Sequence, residues 1–226
     1  MSNFVYKNKD VLIILKPSGV SSQPDNTAFD DALTRASGML SEGGEPSALF
    51  PVHRLDKVVG GLLVFARNRE TAAELSRQMP EGEFSKEYLA VTEGNPSGGM
   101  LQDYLVKNAT LGKAIICEKE TPKAKLAELE YLPLETVRTE KGDRTLVKIS
   151  LKTGRFHQIR AQFSGRGYPL LGDKKYGSKD HRAKTPALFA YKLGFSLKGN
   201  TVIEKALPNL TEYPWNLFGK ETYQEV

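Results

Sequence analysis

The stretch "PVHRLDKVVGGLLVFARNRE", Pro51 to Glu70, carries a strand, a cap and the start of a helix in immediate succession. Gly61 to Arg67 is short and apolar, the pattern of a buried strand. Asn68 stands where an N-cap belongs, and Ala72, Leu75 and Met79 then recur at helical spacing until Pro80, which is expected to end the helix. Ahead of the strand sits a single carboxylate, Asp56, between a His-Arg pair and Gly60-Gly61. Working outward, Val11 to Leu15 reads as a second buried strand stopped by the turn Lys16-Pro17-Ser18-Gly19, and Phe29, Leu33, Ala36 and Leu40 share one helix face. Lys86 to Glu93, Lys113 to Glu118, Lys125 to Leu132, Thr145 to Leu151 and Leu188 to Leu197 read as further strands, with Gly94 to Gly99 as a loop. Strands outnumber helices, and strict alternation stops after Tyr88. The expected class is α+β, a large mixed or antiparallel sheet flanked by helices.

The 226 residues, 39% hydrophobic, suffice for one globular domain over 1–226, without repeats or low-complexity tracts. Lys and Arg exceed Asp and Glu by 32 − 27 = 5, which favours an anionic partner but also suits a plain solvated surface. Cys117 is the only cysteine, so no intramolecular disulfide forms and a reducing, cytoplasmic setting is expected; the preceding Ala114-Ile115-Ile116 points to a strand with an inert thiol. The apolar run near the N-terminus is too short for a signal peptide or a membrane span, so no membrane is expected. His157 and His181 lack metal-ligand spacing with each other or with Cys117, so no metal is expected.

A second block, "LKTGRFHQIRAQFSGRGYPLLGDKKYG", runs from Leu151 to Gly177. After Gly154, the residues Phe156, Ile159 and Phe163 fall on one helix face, which leaves Arg155, Gln158, Arg160 and Gln162 as a basic, amide-rich surface. Lys174, Lys175 and Tyr176, between glycines, suit phosphate contact and base stacking, and equally any exposed loop.

Together these blocks resemble the RluA-type pseudouridine synthases. The resemblance rests on "KPSGV" from Lys16, "HRLD" from His53 followed by "GLLVFAR", "SKEYLAVTEG" from Ser85, "TGRFHQIR" from Thr153 and "GYPLLGDKKYG" from Gly167, in the family's order and approximate spacing. It implies the pseudouridine synthase fold, with an active-site cleft across the sheet, and cofactor-free isomerisation of uridines in structured RNA, ribosomal or transfer. In that reaction uracil is detached from C1′ of its ribose, rotated and rejoined through C5.

The resemblance makes Asp56 the catalytic carboxylate, a nucleophile or base confined away from water. An isolated Asp before Gly-Gly is otherwise a turn residue or helix cap. Arg155 is implied to pair with Asp56, and Tyr88 to stack on the uracil and assist proton removal from C5. Without the resemblance they are a surface arginine and a core tyrosine. Arg54 is implied to enter the gap left by the extruded base, with plain phosphate contact as the alternative. His53 fixes the loop at the substrate site, Ile159 is a pocket wall, and Gln158, Arg160, Lys174 and Lys175 complete the substrate-binding set. Two departures stand out. Val59-Gly60-Gly61 replaces the common Thr-Ser-Gly, which leaves the loop short of a hydroxyl contact and more mobile, and Ser22-Gln23-Pro24 stands where a His is frequent. No S4-like RNA-binding module is evident, and a monomer without an obligatory protein partner is expected. Two other classes stay open: a non-catalytic RNA-binding protein or assembly chaperone that keeps the fold, and a glycosidase-like hydrolase, which needs a second acid such as Asp173 or Glu87.

Overall fold

The computed structural model describes residues 4–24 and 30–226 and divides into two compact units. Among the described residues there are eleven strands and three α-helices, as expected for a strand-rich α+β fold. Among these residues no helix is long and apolar enough to cross a membrane.

The first unit runs to Lys86 and resumes over Ala190–Pro208. It opens with β1 (Phe4–Lys7), β2 (Val11–Lys16), α1 (Ala32–Glu42), β3 (Phe50–Pro51), β4 (Gly60–Ala66) and α2 (Arg69–Glu81). Strand β2 lies antiparallel to β4 with Lys16 opposite Gly61 and Val11 opposite Ala66. Every residue of β4 is buried, because the strand is central and packed on both faces. Asp31 caps α1, its side chain accepting the Thr34 N–H at 2.9 Å. The helix buries Ala32, Ala36 and Leu40, while Phe29, expected on that face, lies outside the described residues.

Asn68 caps α2 as expected, accepting the Thr71 N–H at 2.8 Å. Pro80 does not end that helix. The chain stays helical through Glu81, since a proline in the last turn forfeits a single backbone bond, and Gly82 closes it at φ 78°. The buried Gln78 amide ties α2 down by donating to the Ser196 carbonyl at 2.7 Å and accepting the Ser196 N–H at 3.0 Å. Val11, Ile13, Leu62, Val64, Leu75, Phe84, Leu193 and Phe195 form the core beneath it.

The second unit, Glu87–Phe189 with Asn209–Val226, holds most of β5 (Ser85–Glu93) and all of β6 (Gly99–Asn108), β7 (Lys113–Cys117), β8 (Lys125–Thr139), β9 (Gly142–Leu151) and α3 (Gln158–Gly165). Its strands run antiparallel in the order β5-β9-β8-β6-β7. Strand β8 does not stop at Leu132. It passes Pro133 through an irregularity, where the missing N–H leaves no broken ladder, and continues to Thr139. The chain re-enters the first unit along β10 (Leu188–Leu197), whose last residues pair antiparallel with β11 (Asn200–Lys205). Strands β1, β3, β6 and β11 are absent from the sequence reading: β1 and β3 are only four and two residues long, and β6 and β11 mix exposed and polar positions too freely for a period-two signal.

Candidate active site

In the first unit the loop that carries Asp56 is held by the chain that follows β2. Lys16 is the last residue of that strand, fully buried, and its ammonium donates to the Val20 carbonyl at 2.7 Å, the Pro17 carbonyl at 3.0 Å and the Lys57 carbonyl at 3.4 Å. Gly19 adds its N–H to the Lys57 carbonyl at 2.7 Å, from a φ of 92° that favours glycine. The Ser18 hydroxyl donates to the Val58 carbonyl at 2.7 Å. The Ser22 hydroxyl donates to the Leu55 carbonyl at 2.8 Å and accepts the Leu55 N–H at 2.9 Å. The Val59 N–H closes a turn on the Asp56 carbonyl at 2.9 Å. Backbone groups at Leu55, Asp56, Lys57 and Val58 are therefore all engaged.

Positions 59 and 60 lack the usual hydroxyls, as expected, but the loop is not without hydroxyl contacts. Two hydroxyls are present, and they come from the "KPSGV" turn and from Ser22 rather than from positions 59 and 60. Gly61 has a different reason to be glycine. It sits at φ 124°, and a Cβ there would lie 2.3 Å from the Ala190 carbonyl oxygen.

Side chains alternate along this loop. His53 and Leu55 are buried, Arg54 is exposed and Asp56 is half-buried, so the loop is anchored by its inward residues while Arg54 stands outward and Asp56 is only partly covered. His53 accepts the Val64 N–H at Nε2, 3.3 Å away, which makes its other nitrogen the protonated one. That Nδ1 has no partner among the described residues. Burial, with the nearby Lys86 charge, pushes its pKa down to about 3. His53 is therefore neutral at physiological pH, a fixture of the loop. Burial also draws Lys16 down to about 8, opposed by the Asp56 carboxylate. At neutral pH the ammonium persists, so one positive charge stands close to the candidate carboxylate. Lys16, Ser18 and Ser22 escaped the sequence reading as functional residues. The legible signal was a lysine closing an apolar strand immediately before Pro-Ser-Gly.

The second unit carries the remaining predicted residues. Tyr88 lies on β5 opposite Ile149 of β9 and is 6% exposed. Arg155 is exposed, and its Nε donates to the Leu126 carbonyl at 2.7 Å. Ile159 is buried at the start of α3, as its stripe position implied.

Gln158 and Arg160 do not form the expected surface. Gln158 is 3% exposed, donating to the Glu128 carbonyl at 3.0 Å and accepting from the Thr153 hydroxyl at 2.8 Å and the Arg155 N–H at 3.0 Å. It organises the turn that presents Arg155. Arg160 is 4% exposed and grips Asp173 through Nε at 2.6 Å and Nη2 at 2.9 Å, a buried bidentate pair. Gln162 is buried too, donating to Asp103 at 2.7 Å. Residues 158–163 of the helix are all buried, so side chains expected at solvent turn inward and bond to the neighbouring segments. Asp173, a possible second acid for hydrolysis, is committed to that pair. Lys174 and Lys175 remain exposed, as expected for phosphate contact.

A family model described as RNA pseudouridylate synthase matches residues 10–165. The chain is 32% identical over 209 residues to a protein of Aquifex aeolicus named an uncharacterized RNA pseudouridine synthase, covering 85% of this chain and 64% of that one. It is 28% identical over 207 residues to the ribosomal large subunit pseudouridine synthase D of Borreliella burgdorferi, covering 87% and 62%. It is 30% identical over 193 residues to the dual-specificity RNA pseudouridine synthase RluA of Haemophilus influenzae, covering 82% of each. The chain thus spans just under two thirds of the length of the first two relatives. The solved structure titled human RNA pseudouridylate synthase domain containing 1 superposes with a TM-score of 0.75 at 22% identity, covering 94% of this chain and 85% of that one, and this likeness shows the fold. The chain belongs to the RNA pseudouridine synthase family, among relatives of the RluA type.

Proposed function

We propose that this protein isomerises uridines in structured RNA, ribosomal or transfer, to pseudouridine, with Asp56 as the catalytic carboxylate. The observation that carries this reading is the Asp56 loop, tied on both sides by Lys16, Ser18, Gly19 and Ser22 while its carboxylate stands half-exposed beside a buried cation. A turn residue needs no such fixation, whereas a group that must meet C1′ of one extruded nucleotide does. In the reaction the N1–C1′ bond breaks, uracil turns, C5 bonds to C1′, and the proton leaving C5 is balanced by one taken up at N1. Asp56 serves as nucleophile or base. Nothing is oxidised or reduced, so the balance calls for no cofactor.

Exposed Arg54 suits the role of filling the vacated stack. Tyr88 and Arg155 take the parts that the resemblance assigns them, stacking on uracil with help in removing the C5 proton, and orienting the carboxylate. The family match runs through residues of both compact units, in keeping with one catalytic domain, and we read the protein as a cytoplasmic monomer. A binding-only chaperone has no use for a fixed carboxylate, and the commitment of Asp173 to Arg160 weighs against a two-acid hydrolase.

The test is pseudouridine mapping of RNA from cells with and without the gene, followed by Asp56→Asn on the site so found. The variant is expected to fold, to bind the RNA and to form no pseudouridine. Near-normal product from Asp56→Asn would overturn the assignment.

A further inference from the structure

Phe156 does not lie on the apolar face of α3 where its spacing places it. His157, immediately before the helix, adopts φ 51°, a conformation uncommon for any residue but glycine. The bend turns Phe156 out of the helical stripe and leaves it 38% exposed. Its ring nonetheless has a prepared backing. It stacks on the His157 ring with centroids 3.8 Å apart and planes 18° from parallel. His157 Nδ1 is 3.0 Å from the Tyr176 hydroxyl, and the two rings meet edge to face. The Tyr176 hydroxyl in turn accepts the Ala114 N–H at 2.7 Å. Three rings thus form a braced column with an aromatic side chain at its exposed end.

Cations stand along the column, one of them at its exposed end. The Lys107 ammonium lies over the Phe156 ring, 4.8 Å from its centroid, and Lys113 lies over Tyr176 at 5.7 Å. Lys175 donates to the Gly112 carbonyl at 3.1 Å. Arg160 is neutralised by Asp173, but these three lysines make no ion pair among the described residues. Burial, together with Arg160, Lys175 and Lys107, drives the His157 pKa down to about 3, which keeps the backing ring neutral.

We propose that Phe156, backed by His157, with Lys107 over its ring and Lys175 and Lys113 further along the column, is a platform for an unpaired base of the RNA substrate other than the uridine that reacts. The base takes the place of the Lys107 ammonium against the ring, and that flexible side chain moves to the flanking phosphate. An exposed ring among unpaired lysines matches one ligand chemistry, a flat apolar face on a polyanionic chain. The inference rests on the reading of this chain as an RNA-modifying enzyme, but its test requires no chemistry.

Binding of a ten-nucleotide oligouridylate and of a ten-base-pair RNA duplex to the purified protein is measured by fluorescence anisotropy. Phe156→Ala is expected to weaken oligouridylate binding by roughly 5- to 100-fold and duplex binding much less. Phe156→Trp is expected to retain binding, and Lys107→Gln and Lys175→Gln each to lower the log-log salt slope by about 0.7. If Phe156→Ala melts early, Phe156→Leu keeps the bulk and removes the ring. Equal affinity of the ring-less variant and the parent, equal loss on both RNAs, or no oligouridylate binding by the parent overturns the platform. The ring-dependent loss in a parent that forms no pseudouridine leaves the platform standing and refutes the synthase reading instead.

Discussion

At the residue scale the candidate site depends on buried groups that hold its loop. Ser22 satisfies both backbone groups of buried Leu55, one residue before Asp56. Ser22→Ala would leave a buried donor and acceptor without partners, at about 1–3 kcal/mol. The expected outcome is a lower melting temperature and slower pseudouridine formation with RNA affinity held, because the missing hydroxyl loosens the carboxylate rather than the RNA surface. A variant as fast and as stable as the parent would show that the clamp is idle. His53 acts through its neutrality. Its pKa is near 6.5 in the unfolded chain and about 3 in the fold. Between those values the unfolded chain carries the extra proton, so stability rises with pH across the window and is lost as pH falls. One such group contributes about 1.4 kcal/mol per pH unit. His53→Gln keeps an acceptor for the Val64 N–H and removes the titration. Denaturant melts from pH 3.5 to 6 should show a shallower acid slope for this variant, and an unchanged slope would mean that His53 is protonated in the fold.

At the scale of elements, two glycines of the first unit answer opposite demands. Gly61 is at φ 124° within a wholly buried strand, with the Ala190 carbonyl where a side chain would go. Gly61→Ala is expected to cost more than about 4 kcal/mol, through strain and a backbone clash that no rotamer relieves. Gly38 lies inside α1 with open space around its Cβ position, and Gly38→Ala should stabilise by about 0.5–1 kcal/mol through helix propensity. Thermal melts of the two variants should move in opposite directions. The element boundaries follow the same logic of local signals against context. Asn68 and the apolar run of β4 were legible, because capping and burial are encoded within a few residues. The sequence pattern ends α2 at Pro80 and β8 at Leu132, yet Pro80 and Pro133 each fall where the lost N–H costs little: the final turn of α2 and an irregular point of β8.

For the molecule as a whole, the charge excess of 5 bears on association with a polyanion rather than on the fold. If Arg54, Lys107, Lys174 and Lys175 neutralise phosphates, affinity for substrate RNA should fall with a log-log salt slope of about −0.7 per contact. Binding that is flat between low and physiological salt would remove RNA as the partner. The sequence by itself determined the α+β class, the family and the candidate carboxylate, since hydrophobic runs, caps and a set of ordered motifs are local and survive without coordinates. Only the tertiary structure decided what holds Asp56, because Lys16 and Ser22 reach Lys57 and Leu55 across tens of residues of intervening chain. It also decided that Gln158 and Arg160 point inward and Phe156 outward. Helical spacing assigns residues to faces, but the packed neighbours determine which faces are covered, and a single left-handed residue, His157, shifts where the helix begins.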